Sequence, residues 1–386
     1  MKIVYLIAGM YRPAGMERVL AEKAGHLVRR GHDVLIVTTE QKGRPLAFEL
    51  DRGIRTVDLG IGYEDNNGGS FVSKLMRHPF RLLRHRRRLS ALLKSERADV
   101  TVSMFCNDAS FVPSIKDGSR KILEIHFSRF KRLQYGRKGL WAIADRLRSR
   151  LDAITVSRFD KFVALTEEDR KYWGKMPNIC VIPNPRTFPP FNPGNSGALR
   201  ETDGAPLTVL AVGRYDEQKG FDRLIRIWKR LKDSSQAQGW TLRIAGDGPL
   251  REALERQAEE LGVREGIVFG KAEGDIRTLY ATADILALTS RYEGLPMVLL
   301  EAQACALPVV AMACKCGPRD VLRDGVDGVL TPDGDEEAFA AALGALMADA
   351  PRRRRMGAAA LENSDRYAPE AIMDRWEAIF KGEAQA

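Results

Sequence analysis

Two carboxylates in the second half of the chain, Glu293 and Glu301, are separated by seven residues. Ionised carboxylates only accept hydrogen bonds, so they suit the recognition of hydroxyl groups such as those of sugars and ribose. Upstream, Arg214 and Lys219 stand five positions apart, and a planar guanidinium with a compact ammonium can together hold one diphosphate. Each pair also has an interpretation without a ligand. Glu293 could cap a helix while Glu301 is solvated, and Arg214 and Lys219 could belong to an ordinary surface loop. Spacing alone leaves these interpretations open.

The two carboxylates flank the predicted start of a helix that lies between two strands. Apolar runs at 285–288 and 308–311 are short enough for strands buried on both faces. Between them, residues 297–305 favour a helix, with Pro296 expected as its first residue because the missing N–H has no partner there. In open α/β sheets, ligands bind outside the carboxyl ends of strands, where free N–H groups and the helix dipole favour a phosphate. We therefore expect both carboxylates to face a ligand crevice.

Strands and helices alternate in both halves of the chain. The first half opens with a strand over 3–8, a glycine-containing loop, a helix to about Arg30 and a strand over 34–38, which is a complete βαβ unit. The second half restarts with a strand over 207–212, followed by a loop and a helix from Phe221. This alternation predicts an α/β fold.

A chain of 386 residues is too long for one ordinary core, so two domains are expected. Residues 186–206 are rich in Pro, Gly and Asn, which is typical of a linker. The predicted boundaries are 1–188 for the first domain, 189–206 for the linker, 207–368 for the second domain, and 369–386 for a C-terminal helix that packs back on the first domain.

Segments along the chain resemble one enzyme family. Glu293-Gly294-Leu295-Pro296 with Glu301 resembles the E-x7-E signature of retaining glycosyltransferases that use nucleotide-sugar donors, most closely family 4. Gly213-Arg214 with Lys219-Gly220 resembles that family's Gly-Arg…Lys-Gly motif, and Ile182-Pro183-Asn184 resembles its segment that closes the first domain. The resemblance implies an α/β GT-B fold, in which two Rossmann-like, doubly wound parallel-sheet domains face a central cleft.

The resemblance also implies roles for individual residues. Arg214 and Lys219 would neutralise the donor's diphosphate, while Glu293 would orient the donor sugar and Glu301 the ribose. His126 follows a predicted strand, at the position where the family places an active-site histidine, and joins Arg214, Lys219 and Glu293 as a catalytic residue. Where the family usually has two adjacent glycines, this chain has Ala14-Gly15. The implied donor-binding residues are Gly15, Gly213, Gly270, Lys271, Gly294, Leu295, Pro296, Met297, Val298 and Glu301.

The same resemblance implies that the anomeric configuration is retained. No obvious nucleophilic carboxylate is identifiable, so we favour a front-face reaction in which a leaving phosphate oxygen accepts the acceptor's proton. Fixed cations and helix N-termini aimed at the phosphates would stabilise the leaving group. The string Asp333-Gly334-Asp335 matches the metal-binding D-x-D of another glycosyltransferase fold, but Asp335 precedes a predicted helix and suits its N-cap. We therefore expect no metal and no other cofactor.

The net charge of +10 is unevenly distributed. Residues 1–190 hold 36 Lys and Arg against 20 Asp and Glu, a net +16, while the remainder carries −6. A basic half joined to an acidic half indicates that the first half meets an anionic partner. Because the basic segments carry leucine rather than interleaved aromatic residues, and no nucleic-acid-binding module is recognisable, nucleic acid is not expected as that partner.

The most basic stretch, 71–97, has leucines on one helical face. One interpretation is a helix that lies on an anionic membrane surface; the other is a surface helix that covers the first sheet. The residues assigned to the membrane or acceptor surface are Arg81, Arg84, Arg86, Arg87 and Arg88. A second basic cluster consists of Arg129, Lys131, Arg132, Arg137, Lys138, Arg146, Arg148 and Arg150.

The expected partners are a nucleotide-sugar donor and a saccharide acceptor. The basic first half suggests a lipid-linked acceptor at the inner face of the cell membrane, as in surface polysaccharide, exopolysaccharide or lipopolysaccharide assembly. Five cysteines form no even framework, which favours reduced thiols and a cytoplasmic location. The basic first half adds the expectation that the protein is peripheral on the inner face of the membrane. A soluble sugar or sugar phosphate is the alternative acceptor. From another class, the same scaffold hosts nucleotide-sugar epimerases and can host a non-catalytic nucleotide-sugar-binding module.

Overall fold

A computed structural model describes residues 1–66, 71–130, 140–191, 207–271 and 276–383. The chain divides into two compact units: unit 1 comprises Met1–Pro185 with Pro369–Ala386, and unit 2 comprises Arg186–Ala368. The boundary therefore lies three residues before the predicted end of the first domain, and residues 186–191 belong to unit 2. Most of the predicted linker, 192–206, lies outside the described residues. The C-terminal stretch from Pro369 belongs to unit 1.

Each unit is built on one sheet. The strands are β1 Lys2–Ile7, β2 Asp33–Thr38, β3 Ile54–Asp58, β4 Val100–Ser103, β5 Arg120–Glu124, β6 Lys161–Ala164, β7 Ile179–Val181, β8 Leu207–Val212, β9 Trp240–Ala245, β10 Ile267–Gly270, β11 Ile285–Leu288, β12 Val309–Met312 and β13 Gly328–Thr331. The helices are α1 Gly15–Arg29, α2 Phe71–Glu96, α3 Leu140–Val156, α4 Glu167–Trp173, α5 Phe221–Asp233, α6 Arg251–Glu260, α7 Ile276–Thr282, α8 Met297–Ala304, α9 Pro318–Val321, α10 Glu336–Ala348, α11 Ala350–Asn363 and α12 Pro369–Lys381.

The sheet of unit 1 is parallel, in the order β3-β2-β1-β4-β5-β6-β7. Because side chains alternate along a strand, Tyr5 of β1 faces one core and Leu6 faces the other. The first core is closed by α1 and α12, with Trp376 fully buried. The second is closed by α2, through Leu89 and Leu93, which are also fully buried. Helices on both faces make this a doubly wound sheet.

The sheet of unit 2 is also parallel, in the order β10-β9-β8-β11-β12-β13. The direction in which strands are added reverses between β8 and β11. In doubly wound sheets, ligands bind outside the carboxyl ends of strands at such a switch point. The two parallel sheets confirm the predicted fold class.

The predicted position of Pro296 is wrong by one residue. Pro296 is the N-cap of α8, with a φ of −71° and an extended ψ of 103°, and the helix begins at Met297. The proline ring restricts φ but leaves ψ free, so the residue can end the preceding turn instead of beginning the helix.

Candidate functional site

In unit 2, the loops that follow β8 and β11 meet at the switch point. The Arg291 N–H donates to the Gln218 carbonyl at 2.8 Å, and the Thr289 hydroxyl donates to the Gly220 carbonyl at 3.0 Å. Gly220 has a φ of +64°, and a Cβ there would lie 2.2 Å from the Thr289 carbonyl oxygen. Only glycine permits this backbone approach. The loop that carries Arg214 and Lys219 is thereby fixed against the loop that carries Glu293.

Glu293 accepts hydrogen bonds instead of capping a helix. Its Oε1 accepts from Lys219 Nζ at 2.7 Å and from the Ser290 hydroxyl at 2.7 Å, and its Oε2 accepts from Gln218 Nε2 at 3.4 Å. The residue is 5% exposed. The structure therefore brings two of the predicted catalytic residues, Lys219 and Glu293, into direct contact. Sequence analysis missed Ser290 and Gln218, although Gln218 is adjacent to Lys219 and Ser290 lies three positions before Glu293.

The two cations of the loop after β8 differ in exposure. Arg214 is 69% exposed, and its Nε donates a 2.6 Å hydrogen bond to Asp216. Lys219 is 17% exposed and lies over Gly213, where a Cβ would come within 3.0 Å of the lysine side chain. Because Gly213 has no side chain, the Lys219 side chain can pass over it and reach Glu293. The guanidinium remains accessible, since its fork extends into solvent.

Glu301 of α8 is held at both carboxylate oxygens. Its Oε2 accepts from the Tyr280 hydroxyl at 2.6 Å, and its Oε1 accepts from the Thr187 hydroxyl at 3.2 Å. Glu301 is 4% exposed, so it is not a solvated glutamate. Tyr280 is fully buried and packs edge-on against Phe188, with ring centroids 5.7 Å apart. Neither hydrogen-bond donor was expected from the sequence, because both lie far from Glu301 along the chain.

The remaining residues of the predicted donor site cluster around the start of α8 and the end of β10. Gly294 lies in the turn before the helix, Pro296 caps it, and Met297 begins it. Leu295 and Val298 are buried, so only their backbone groups can serve a ligand. The site residues at the end of β10 are Gly270, where no described atom lies within 4 Å of an added Cβ, and Lys271, which is exposed.

In unit 1, the predicted catalytic His126 follows β5. Its side chain is 6% exposed, and its Nε2 lies 3.0 Å from Oε1 of Glu124. Glu124 also forms an ion pair with Lys23 of α1. Burial would raise the pKa of Glu124, but the charges of Lys23 and His126 hold it well below its usual range. Sequence analysis missed Glu124, the partner of His126, and Lys23, the partner of Glu124.

The start of α1 places a further carboxylate near His126. Gly15, the predicted donor-phosphate residue, is the exposed first residue of α1. Two positions later, Glu17 is 5% exposed, and burial raises its pKa. Its own backbone N–H and the charges of Arg12 and His126 partly oppose that rise.

The basic residues predicted for a membrane or acceptor surface divide into two groups. Arg81 donates to the Tyr63 carbonyl at 3.3 Å and Arg88 to the Leu59 carbonyl, so both are tied to the protein backbone. The other three, Arg84, Arg86 and Arg87, are exposed. Beside them on α2, the described apolar side chains with the largest exposed fractions are Phe80 at 75% and Leu83 at 57%.

The second basic cluster is described only in part. Arg129 is partly buried, with its guanidinium 4.1 Å from the centroid of the Trp173 ring. Arg146 and Arg150 on α3 are exposed. Four members lie outside the described residues: Lys131, Arg132, Arg137 and Lys138.

Asp335 caps a helix, as predicted. Its carboxylate accepts from the Ala338 N–H at 2.9 Å at the start of α10. Across the part of the chain that the structure describes, no three His, Cys, Asp or Glu residues are grouped so as to hold a metal ion. Among the described helices, none has the length and hydropathy needed to cross a membrane.

Family models and solved structures agree with this architecture. Residues 13–186 match the model “Glycosyltransferase Family 4” and residues 200–363 match “Glycosyl transferases group 1”. The “Amylovoran biosynthesis glycosyltransferase AmsD” of Erwinia amylovora is 37% identical over 57% of this chain and 62% of its own length. The “Lipopolysaccharide core biosynthesis glycosyltransferase LpsE” of Rhizobium meliloti is 34% identical over 46% of this chain and 51% of its own length. The alignments thus span about half to three-fifths of these two relatives.

A solved structure shares the fold over nearly the whole chain. Anabaena HepE, crystallised “in complex with UDP and glucose”, superposes with a TM-score of 0.74 at 17% identity, covering 99% of each chain. At this identity the likeness establishes the fold, and the function must be argued from the site.

Proposed function

This chain belongs to the family 4-like glycosyltransferases of GT-B fold. We propose that it moves a sugar from a nucleotide-diphosphate-sugar to a saccharide acceptor. We propose further that the reaction retains the anomeric configuration and needs no metal. The observation that carries the proposal is the Lys219–Glu293 contact at 2.7 Å beside the exposed Arg214, at the switch point of the unit 2 sheet. Two cations and a carboxylate at that place suit a sugar diphosphate better than any other ligand.

Arg214 and Lys219 would stabilise the leaving nucleoside diphosphate. Pre-oriented charges act most strongly where charge develops in the transition state. Arg214 donates through Nε to Asp216, and its side chain is 69% exposed, so the other guanidinium N–H groups are accessible to a phosphate. Lys219 is only partly exposed and would share its ammonium between Glu293 and a phosphate oxygen. The N-terminus of α8 adds its dipole on the same side of the sheet.

Glu293 would then orient the transferred sugar by accepting hydrogen bonds from its hydroxyls, and Glu301 would accept from the ribose. In the front-face reaction, the bond from the anomeric carbon to the phosphate oxygen breaks. The bond from that carbon to the acceptor oxygen forms on the same face, and the acceptor's proton moves to the departing phosphate oxygen. No enzyme nucleophile is needed. His126 would contact the sugar from unit 1.

A nucleotide panel tests the donor side. Thermal unfolding is measured with UDP, GDP, ADP, UDP-glucose and GDP-mannose for the wild type, Arg214→Ala and the control Arg230→Ala, an exposed arginine at the end of α5. A ligand at a hundredfold excess over its Kd stabilises the native state by about 2.7 kcal/mol. We expect one nucleotide family to stabilise the wild type and the control but not Arg214→Ala. If no nucleotide stabilises any variant, the transferase proposal fails.

The acceptor is proposed to be lipid-linked, at the cytoplasmic face of the membrane, in polysaccharide or lipopolysaccharide assembly. AmsD and LpsE are named for amylovoran and lipopolysaccharide core biosynthesis, respectively. On α2, the exposed Phe80 and Leu83 beside exposed arginines combine apolar insertion with attraction to anionic lipid.

Vesicle binding tests this assignment. Each basic residue near an anionic surface contributes about 1 kcal/mol, so loss of two arginines weakens binding about 30-fold. Because the introduced glutamates also repel anionic lipid, Arg84→Glu/Arg87→Glu is expected to weaken binding to phosphatidylglycerol vesicles by at least that factor. The control Arg230→Glu/Arg256→Glu makes the same change of charge at exposed positions in unit 2. Equal loss in both double variants, or no binding by the wild type at low salt, would favour a soluble sugar or sugar phosphate as the acceptor.

A further inference from the structure

A lysine and a glutamate are paired in the interior of unit 1. The Lys23 side chain is 0% exposed and the Glu124 side chain is 1% exposed. Taking two charges out of water is unfavourable, and their attraction compensates only when the geometry is good. Between α1 and β5, this ion pair stabilises the fold little more than two apolar residues at the same positions would. The pair therefore calls for an explanation beyond packing.

Aromatic rings enclose the lysine. Its ammonium lies 3.9 Å from the centroid of the Trp376 ring on α12 and 5.1 Å from that of Tyr5 on β1. The face of an aromatic ring attracts a cation, so both rings hold the ammonium in place. Lys23 thus sits in a fixed position with its charge directed at Glu124.

The other oxygen of Glu124 lies beside the predicted catalytic residue His126. Lys23 engages Oε2, whereas Oε1 lies 3.0 Å from Nε2 of His126. That nitrogen is buried and makes no well-aligned hydrogen bond among the described residues. In ligand-free enzymes, the hydrogen bonds of functional groups are often poorly aligned and improve when the substrate binds. The carboxylate is therefore placed to guide the ring when a ligand arrives.

We propose that Lys23 and Glu124 are positioning residues for His126. Lys23 fixes the Glu124 carboxylate, and Glu124 orients the imidazole toward the sugar that is transferred. The inference rests on the proposed function, which gives His126 its contact with that sugar. The charged groups around the imidazole are Glu124 from β5 and Glu17 from α1, with Lys23 behind Glu124.

A purely structural pair would behave differently from a positioning pair. Lys23→Met or Glu124→Gln alone leaves one buried charge without its partner and can unfold the protein, so neither variant is decisive. The double variant Lys23→Met/Glu124→Gln removes both charges while nearly keeping both shapes. If the pair served only the fold, the double variant would recover wild-type activity together with stability.

The decisive measurement compares this double variant, His126→Asn and the triple variant. The readout is release of UDP or GDP from UDP-glucose or GDP-mannose, whichever conjugate stabilises the wild type. We expect the double variant to unfold near the wild-type temperature, to keep its KM within about threefold, and to lose about 100-fold in kcat, as for a misplaced group. In the His126→Asn background, the same double substitution should change kcat less than threefold.

A second readout needs no substrate. In the protein with 15N-labelled histidine, the Nε2 resonance of His126, assigned from His126→Asn, is expected to shift in the double variant. Full activity of the double variant, additive losses in the triple variant, or an unmoved Nε2 resonance would each overturn the inference. These failures are distinct from failure of the proposed function, because nucleotide stabilisation through Arg214 is measured in unit 2.

Discussion

The two units each contain a lysine–glutamate pair next to a candidate catalytic site, and the pairs differ in their surroundings. In unit 1, Lys23 and Glu124 are closed off by aromatic rings. In unit 2, Lys219 is 17% exposed and Glu293 has two further hydrogen-bond donors. A closed pair cannot exchange partners, so it can only hold geometry. A partly open pair can give its lysine to a ligand phosphate without leaving the carboxylate unsatisfied.

The largest expected effect is the loss of stability on breaking the closed pair, Lys23–Glu124. Lys23→Met leaves the Glu124 charge buried, and loss of one member of a buried pair costs about 3–5 kcal/mol. The measurement is the free energy of unfolding in urea. Restoration of most of that loss in Lys23→Met/Glu124→Gln would identify the stranded charge as its cause.

The matched control is the exposed pair Arg170–Glu167 of α4, whose side chains are 46% and 54% exposed. Arg170→Met is expected to change the free energy of unfolding by less than about 1 kcal/mol. A similar loss from Lys23→Met and Arg170→Met would mean that burial does not distinguish the two pairs.

Breaking the partly open pair, Lys219–Glu293, is expected to reduce turnover more than stability. Lys219→Met removes a cation from the proposed diphosphate site, so nucleotide release from the donor should slow about 10²- to 10³-fold, as for other groups that stabilise charge in a transition state. Its effect on unfolding should be smaller than that of Lys23→Met, because Ser290 and Gln218 still donate to Glu293. The control is Lys229→Met on the exposed face of α5. If Lys219→Met destabilises as strongly as Lys23→Met and leaves turnover intact, the distinction between the pairs is wrong.

The contrast between these pairs also explains which features the sequence could predict. The cap at Asp335 is local, so residue type and position were sufficient to predict it. The motif around Arg214 and Lys219 is also local, but its spacing left two interpretations open, and the family resemblance was needed to choose between them. The Lys23–Glu124 pair joins residues 101 positions apart, and the Thr187–Glu301 hydrogen bond spans 114. Such contacts depend on how helices dock on the sheet, which periodicity does not determine.

One signal for the closed pair was nevertheless present. Lys23 lies between Leu20 and Leu27 on the buried face of α1, three positions after one and four before the other. A lysine on an apolar helical face requires a buried partner, and Glu124 ends β5 directly after the apolar residues Ile122 and Leu123. Pairing the two required knowledge of the sheet order, in which β5 is separated from β1 by β4.

Asp108, a buried carboxylate beside Ser103, sharpens the comparison within unit 1. Asp108 is 2% exposed, and burial raises its pKa to about 6, in contrast to the lowered pKa of Glu124 beside Lys23. Since the folded-state pKa lies above the unfolded value of about 3.9, this group's contribution to stability is present at low pH and is lost between about pH 4 and pH 6.

Asp108→Asn should therefore be more stable than the wild type by about 2–3 kcal/mol at pH 7, with a difference that shrinks toward zero near pH 4. Urea unfolding across pH 4–8 measures this, with Glu22→Gln, an exposed glutamate of α1, as the control. A pH-independent difference would mean that Asp108 is not the titrating group.

The smallest effect is expected at Glu301, whose two described side-chain donors are neutral. Glu301 has no lysine in its two described side-chain contacts and is held by Tyr280 and Thr187. Tyr280→Phe keeps the ring and removes one donor, so Glu301 should lose orientation while the fold persists. A lost hydrogen bond to a charged group costs about 1.5–3 kcal/mol, part of which the remaining donors recover.

We expect nucleotide affinity to fall about 10-fold, measured by calorimetry with the nucleotide that stabilises the wild type. Because the proposed partner of Glu301 is the ribose, the free nucleotide and its sugar conjugate should weaken equally. Weakening of the sugar conjugate alone would instead place Glu301 at the transferred sugar, and would give it the role now assigned to Glu293.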